Sequence, residues 1–193
     1  MPWYLSELGR RDEPSWYFED GQNLPRSMSN PKSVPEPSAW PVKVRLRKPR
    51  KTLPDYTVGP FTGIIVVSKT FKDLVEAWDP ANHVFVPLEI RQPNGTLWEG
   101  EDRFIFKLAE FIDGGIIVEK SDVAKDYLDG ELIGYGATSQ APRLMWSAES
   151  IKGRHIWADK FFAKGRTVSD EFYEELKKQK IGSFLAIEGR IEG

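Results

Sequence analysis

The chain has 193 residues, of which 40% are hydrophobic and 12% aromatic, so it is long enough to bury one sizeable core. It contains no cysteine, which excludes disulfides, thiolate metal ligands and a cysteine nucleophile. The net charge of −2 combines +4 in residues 1–54 with −6 in residues 55–193, which argues against bulk nucleic-acid binding by the larger part.

The front of the chain combines proline with large aromatic residues. Repeated proline prevents long helices and central strands, whereas aromatic residues are scarce in disordered tails. We therefore expect an extended arm over residues 1–52 that packs on a body formed by residues 53–193, in a single globular unit. Residues 3–5 and 15–18 are predicted to be short strands of this arm. An arm that binds a partner is the alternative.

Residues 42–47 alternate between apolar and cationic side chains, which predicts a strand with one buried face. Together with the cations that follow, the segment 43–51 contains six Lys or Arg residues. The preferred interpretation is an edge strand that its charges protect from pairing with other chains. Phosphate binding by the same cations, and hence a nucleic-acid-binding module, is the alternative.

Two segments, residues 63–89 and 165–188, repeat one plan. Both contain the pattern Val-Ser-x-x-Phe, with the serines at Ser68 and Ser169. Each serine follows an apolar run and precedes apolar residues at helical spacing, as expected of a helix N-cap between a strand and an amphipathic helix. A second strand is predicted after each helix. The sequence therefore predicts an α+β fold with a mostly antiparallel sheet and two related strand-helix-strand units.

Between these two units the sequence predicts a hairpin and a loop. Asn94-Gly95 is a strong signal for a two-residue turn, and returning strand material follows at residues 103–108. Residues 129–142 are rich in glycine and polar side chains, which favours a loop. The glycines of this segment lack the Lys-Ser/Thr pair of a phosphate-binding loop, so we expect no phosphate site there.

The sequence gives little support to a catalytic site. Its two histidines, His83 and His155, stand far apart and lack the spacing of a zinc site. His155 and Asp159 are four residues apart, but no Gly-x-Ser-x-Gly elbow accompanies them. We predict no metal, no cofactor and no enzymatic activity, and a hydrolase built on His155 and carboxylates stays an alternative.

Nothing in the sequence predicts export or membrane insertion. Residues 1–7 form neither a basic region nor the start of an apolar one, unlike a signal peptide. No apolar run approaches the roughly 20 residues of a membrane span. We therefore expect a soluble, cytoplasmic protein.

A set of short motifs follows a fixed order along residues 53–188. The motifs are Leu53-Pro54-Asp55 and the segments 65–71, 85–89, 111–113, 153–157 and 168–182. In this order they resemble a bacterial immunity-protein family, long catalogued as a domain of unknown function, whose genes lie beside polymorphic and type VI secretion toxins. This chain has His-Ile-Trp where the family would have His-Ile-Phe and a basic residue. The resemblance implies a protein that neutralises a cognate toxin by binding it, with no catalytic residues.

The acidic body makes a nuclease such as a DNase the expected toxin, because nucleases have basic substrate grooves that an acidic patch can occupy. We expect a monomer that forms a 1:1 complex, occludes the active site or substrate groove, and contacts neither nucleic acid nor membrane. Each candidate contact has a structural alternative: a core position for Trp98, and solubility for the acidic residues. The candidates are Trp98, Glu99, Glu101 and Asp102 beyond the predicted hairpin turn, and Asp126, Asp129, Glu131 and Tyr135 in the glycine-rich segment.

Overall fold

The computed structural model describes residues 1–6, 13–19, 36–60, 64–79, 81, 83–182 and 184–193, with the backbone alone at 163 and 164. These residues form strands in antiparallel and mixed sheets with few helices, which confirms the predicted α+β class. The helices are α1 Lys69–Trp78, α2 Ala148–Ile151 and α3 Asp170–Lys178. The strands are β1 Trp3–Ser6, β2 Trp16–Phe18, β3 Val42–Leu46, β4 Tyr56–Val58, β5 Ile65–Ser68, β6 Val84–Arg91, β7 Arg103–Lys107, β8 Val123–Leu128, β9 Glu131–Ala137, β10 Met145–Ser147, β11 Ile156–Asp159, β12 Phe162–Val168, β13 Leu185–Glu188 and β14 Arg190–Glu192.

The chain divides into two compact units. The first consists of residues 1–8, 110–180 and 184–193, and the second of residues 9–109 and 181–183. Both short strands predicted near the front of the chain are present, but β1 belongs to the first unit and β2 to the second. The arm over residues 1–52 as a separate element stays a prediction.

The second unit contains a six-stranded sheet with the strand order β2-β3-β6-β7-β5-β4. The strands on either side of helix α1, β5 and β6, do not pair with each other, because β7 lies between them and is antiparallel to both. Phe106 of β7 stands opposite Ile65 on one side and Phe85 on the other. This is a split strand-helix-strand unit, in which a third strand separates two parallel ones.

The first unit repeats this arrangement in a four-stranded sheet with the order β11-β12-β1-β13. Helix α3 connects β12 to β13, and β1 lies between these strands, antiparallel to both. Trp3 of β1 therefore stands opposite Val168 on one side and Glu188 on the other. Its indole N–H also donates a hydrogen bond of 2.7 Å to Asp170, which is 167 residues away in the sequence. Distant parts of the chain thus form one sheet.

A serine begins each of the two longer helices. The Oγ atom of Ser68 accepts a hydrogen bond of 3.1 Å from the N–H of Phe71, and that of Ser169 accepts one of 3.2 Å from Phe172. These bonds satisfy N–H groups that have no partner within the first helical turn. Both phenylalanines are fully buried. In both copies of the predicted Val-Ser-x-x-Phe repeat, the serine therefore caps a helix and the phenylalanine is a core side chain.

Each unit has its own hydrophobic core. In the first unit the core includes Trp146 and Trp157, whose rings meet edge to face with their centres 5.8 Å apart. In the second unit it includes Val66, Val86 and Ile105, which lie on the three neighbouring strands β5, β6 and β7. The inserted strand contributes to each core, through Tyr4 of β1 in the first unit and Ile105 of β7 in the second.

Strand β3 is not an edge strand, contrary to the prediction. It lies between β2, with which it is antiparallel, and β6, with which it is parallel. Its apolar residues are buried, while Lys43 is exposed and Arg45 forms an ion pair of 2.7 Å with Glu19. The cations are thus compatible with a central position because they occupy the face opposite the core.

The predicted turn at Asn94-Gly95 is shifted by one residue. The N–H of Gly95 donates to the carbonyl of Gln92 at 2.9 Å, so Pro93 and Asn94 are the central residues of the turn. Gly95 follows with a positive φ of 88°, a conformation that glycine adopts without steric cost. Proline fixes the turn one position earlier than the Asn-Gly signal alone indicates.

The loop predicted over residues 129–142 is wrong for its first half, because residues 131–137 are strand β9, which pairs with β8. Asp129 and Gly130 both have positive φ, 51° and 85°, as in a type I′ hairpin turn. The later glycines belong to the strand itself. A Cβ atom on Gly136 would lie 2.9 Å from Oδ2 of Asp126, so this glycine makes room for a cross-strand carboxylate.

Gly165→Ala is expected to destabilise the first unit, because β12 passes close to β1 at this position. A Cβ atom on Gly165 would lie 2.4 Å from the ring of Tyr4 and 2.6 Å from the carbonyl oxygen of Leu5. Such overpacking costs about 1–3 kcal/mol, which chemical denaturation measures. Gly182→Ala is the control, since nothing lies within 4 Å of a Cβ there. Equal stability of the two variants would contradict the close packing of β1.

Candidate functional site

A buried carboxylate organises the part of the first unit that carries the β8–β9 hairpin. Asp159 is fully buried, and its Oδ2 accepts hydrogen bonds from the N–H groups of Gly115 at 2.8 Å and Ile116 at 3.2 Å. Its Oδ1 accepts a third bond, of 2.8 Å, from the N–H of Phe161. Burial raises the pKa of Asp159, and the three N–H groups act in the opposite direction. The carboxylate thereby joins the segment 115–116 to the turn between β11 and β12.

The turn between β11 and β12 also holds strand β9, through a backbone hydrogen bond and a ring contact. The carbonyl oxygen of Phe161 accepts a hydrogen bond of 2.7 Å from the N–H of Tyr135, and the two rings lie 5.5 Å apart. Tyr135 is buried in the core of this unit together with Val123 of β8. Burial, and then the charges of nearby carboxylates, raise the pKa of the Tyr135 phenol. The base of the hairpin is therefore fixed to the unit through its inner face.

The far end of this hairpin exposes large apolar side chains. Tyr127 is 59% exposed, Leu128 61% and Ile133 59%. Of the exposed large apolar residues in the described part of the chain, these three lie within seven residues of one another. A single exposed leucine is normal on a protein surface, whereas three exposed large apolar residues so close in sequence make this tip a candidate interaction site.

Three predicted carboxylates surround the apolar cluster. Asp126 stands opposite Gly134, Asp129 lies in the turn, and Glu131 stands opposite Leu128. All three are exposed, and none forms an ion pair or a side-chain hydrogen bond with any described residue. The structure thus brings Asp126, Asp129 and Glu131 together around apolar residues that our sequence interpretation missed.

Trp98, from the other predicted group, lies in the second unit and has a structural role there. It is half-buried and packs on the core of that unit, with the guanidinium carbon of Arg103 5.3 Å from its ring centre. A Cβ atom on Gly100 would come within 2.0 Å of the indole, so the ring covers this glycine. A binding role for Trp98 stays a prediction.

Glu101 caps helix α1 from outside the helix. Its Oε1 accepts hydrogen bonds from the N–H of Thr70 at 2.8 Å and from the Thr70 hydroxyl at 2.6 Å, while Oε2 accepts one from Arg103 at 3.1 Å. Burial alone would raise the pKa of Glu101, but the bonds from Thr70 and Arg103 outweigh it and hold the pKa below its usual value. The carboxylate also lies at the positive end of the helix dipole. Glu99 and Asp102, by contrast, are simply exposed.

The residues of the hydrolase alternative have structural roles. Nδ1 of His155 lies 3.0 Å from the Oγ of Ser169, the atom that caps helix α3. Asp159 accepts three backbone N–H groups, as described above. Within the described ranges, no three His, Cys, Asp or Glu residues are grouped so that they could hold a metal ion.

The cations of the nucleic-acid alternative are partly engaged within the second unit. Arg45 pairs with Glu19, the guanidinium of Arg47 lies 5.2 Å from the ring centre of Tyr17, and Arg50 donates to a backbone carbonyl at 3.0 Å. The ion pair offsets the charge of Arg45, and the other two contacts hold Arg47 and Arg50 against their own unit. As for membranes, the part of the chain that the structure describes has no helix long and apolar enough to cross one.

Comparison with protein families gives a match over most of the chain. The sequence model of the Imm11 immunity protein family matches residues 6–185. The chain belongs to the Imm11 family. This membership confirms the resemblance drawn from the motifs, and it assigns a toxin-neutralising role to the chain. A search of curated proteins found no match.

The Imm11 match includes both candidate surfaces, residues 98–102 and the β8–β9 hairpin. Sequence reasoning found the carboxylates of the hairpin but missed Tyr127, Leu128 and Ile133. The signal was present, since Asp129-Gly130 between segments with apolar residues is typical of a hairpin turn.

Asp159→Asn is expected to destabilise this Imm11 protein, because an amide NH₂ group would replace one of the two acceptor oxygens. A buried backbone N–H then loses its partner, at a cost on the order of 1–3 kcal/mol, measured by urea denaturation. Hydrogen exchange of the Tyr135 N–H should also become faster. Asp113→Asn is the control, since among the described residues this exposed carboxylate pairs only with Lys160, at 3.0 Å. A fully stable Asp159→Asn variant would show that the acceptor oxygen it removes contributes nothing to stability.

Glu101→Gln is expected to change how stability depends on pH. Because the folded pKa of Glu101 lies below 4.5, the ionised group contributes stability above that pH, and this contribution is lost as the pH falls through the lowered folded value. The melting temperatures of wild type and variant should therefore differ at neutral pH and converge in acid. Glu99→Gln, an exposed control, should follow the wild type throughout. A difference for Glu101→Gln that is constant with pH would contradict the assignment.

Proposed function

We propose that this Imm11 protein protects the toxin-producing cell and its siblings by binding a secreted antibacterial toxin in the cytoplasm and occluding its active site or substrate groove. The family match over residues 6–185 is the observation that carries the proposal. An inhibitor of this kind must bind fast and tightly, because one free toxin molecule turns over many substrate molecules. Colicin DNases and their immunity proteins are among the tightest complexes known.

A nuclease is the class of toxin that fits the charge distribution. Residues 55–193 carry a net charge of −6, and the hairpin carboxylates have no cationic partner among the described residues. A nuclease needs cationic side chains in its groove to bind phosphate groups. Complementary charge speeds association and selects the partner. The protein then acts as a monomer in a 1:1 complex and contacts neither nucleic acid nor membrane. A second candidate contact with the toxin consists of Trp98, Glu99, Glu101 and Asp102.

The proposed function predicts a toxin gene beside the gene of this protein, with a domain typical of type VI or polymorphic toxin secretion. Expression of the toxic domain alone should arrest growth of a bacterial host. Co-expression of this protein should restore growth, and the two chains should co-purify in a 1:1 ratio. An unrelated toxin of the same enzymatic class, which the protein should not neutralise, is the control for specificity.

The outcomes separate the parts of this proposal. Continued growth arrest, with both proteins present in soluble form, would contradict the immunity function. Cleavage of DNA or RNA by the purified toxic domain, and its loss on adding this protein, would support the nuclease assignment. Neutralisation of a toxin that cleaves neither nucleic acid would contradict only the nuclease assignment.

A further inference from the structure

We propose that the tip of the β8–β9 hairpin, residues 126–133, enters an apolar cleft of the toxin whose border carries Lys and Arg side chains. This inference rests on the function proposed above and names the part of the surface that makes the decisive contact. It depends on where the apolar and acidic side chains of the tip point, and on how the base of the hairpin is held.

The apolar side chains of the tip lie on both faces of the hairpin. Cross-strand partners of an antiparallel pair share a face, and the faces alternate along each strand. Leu128 therefore lies on the face of Asp126, whereas Tyr127 and its partner Leu132 lie on the face that continues to the buried Tyr135. Leu128 and Tyr127 are both well exposed. A flat partner surface would cover only one of them, whereas a cleft covers both.

A shift in strand register exposes the third apolar residue. Asp126 stands opposite Gly134 and Tyr127 opposite Leu132, so Ile133 is an extra residue without a partner. Leu132 packs against the core of the unit, while Ile133 is as exposed as Tyr127. Bulges of this kind commonly redirect a side chain next to a functional site. Here the bulge directs an isoleucine away from the protein's own core.

The outer face of the hairpin allows close approach by a partner. Next to the tip this face carries only Ala124, Gly134 and Gly136 beside Asp126, whose carboxylate lies over Gly136. No large side chain there would hold the wall of a cleft away from the backbone. Small residues alone do not define a site, but here they adjoin the exposed apolar groups.

The charges of the tip favour a cationic partner. Asp126, Asp129 and Glu131 have no partner among the described residues, whereas the nearby cation Lys125 lies 3.7 Å from Glu119. An apolar centre with a polar rim is the usual arrangement of an energetic hot spot. A symmetric contact between the tips of two copies of this chain would place like charges together, which is unfavourable. The toxin, with Lys and Arg around its cleft, is therefore the occupant that fits.

The base of the hairpin is rigid, which favours tight binding. Tyr135 is buried, its N–H is bonded to Phe161, and Phe161 is held by the buried carboxylate of Asp159. A loop that is already ordered loses little conformational entropy when it binds. The tip can thus enter a cleft without first being ordered.

The test uses calorimetric titration of the full-length protein with the toxic domain encoded by the neighbouring gene. Tyr127→Ala, Leu128→Ala and Ile133→Ala together should raise Kd at least about 30-fold, as expected for hot-spot truncation. Folding should not change, since all three side chains are exposed, and circular dichroism and melting temperature check this. Leu185→Ala is the matched control, because Leu185 is 47% exposed and lies outside both candidate contacts. Its Kd should equal that of the wild type.

A second variant tests the rim. Asp126→Asn, Asp129→Asn and Glu131→Gln together should slow association about tenfold at low salt, and the difference should shrink at high salt. Asparagine suits position 129 because it tolerates the positive φ of the turn. Glu188→Gln is the control for loss of a single exposed charge, since Glu188 lies outside both candidate contacts.

Each outcome has one meaning. If the wild type and the apolar variant bind the toxin equally well, the hairpin assignment is overturned and the proposed function is left intact. Wild type that neither binds nor neutralises the toxin overturns both. A dimer of this chain in analytical ultracentrifugation that disappears in the apolar variant would make a second copy the occupant, and would overturn the toxin as the partner of the tip.

Discussion

Both units depend on one constraint, which is that the strands before and after the capped helix are held apart by a third strand. In the second unit this strand is β7, and in the first it is β1. Each inserted strand supplies backbone hydrogen bonds on both edges and a buried side chain, Phe106 or Leu5. The repeated Ser cap and Phe core residue determine the helix, but only the inserted strand makes a continuous sheet beneath it.

From the sheet of the first unit, a short series of contacts extends to the surface proposed for binding. Asp159, at the end of β11, holds Phe161, and Phe161 holds Tyr135 of β9 by backbone and ring contacts. Because the buried carboxylate accepts three N–H groups at once, it fixes the backbone of two segments. Beyond Tyr135, Leu132 still packs against the core, whereas Tyr127, Leu128 and Ile133 remain in solvent. Burial of these three side chains by a partner would yield binding energy.

The sequence predicted features that depend on local order and not those that depend on distant pairing. Ser68 and Ser169 could be recognised as caps because the signal lies within four residues. No periodicity indicates that β1 pairs with β13, since a hydrophobic pattern gives the buried face and not the partner. At the hairpin, the high glycine content led to the prediction of a loop, although Asp129-Gly130 is a hairpin turn. The carboxylates were found by residue type, but exposed Tyr127, Leu128 and Ile133 contradict the ordinary expectation of burial.

The central position of β1 also affects when a newly made molecule becomes protective. The ribosome synthesises Trp3–Ser6 long before Leu185–Glu188, so β1 must wait for both of its neighbours, while β2 to β7 of the other unit are already available. At roughly 5–20 residues per second the interval is on the order of ten to forty seconds. During that interval the sheet behind the hairpin is unfinished. Neutralisation of the toxin therefore depends on the number of completed chains rather than on the number whose synthesis has begun.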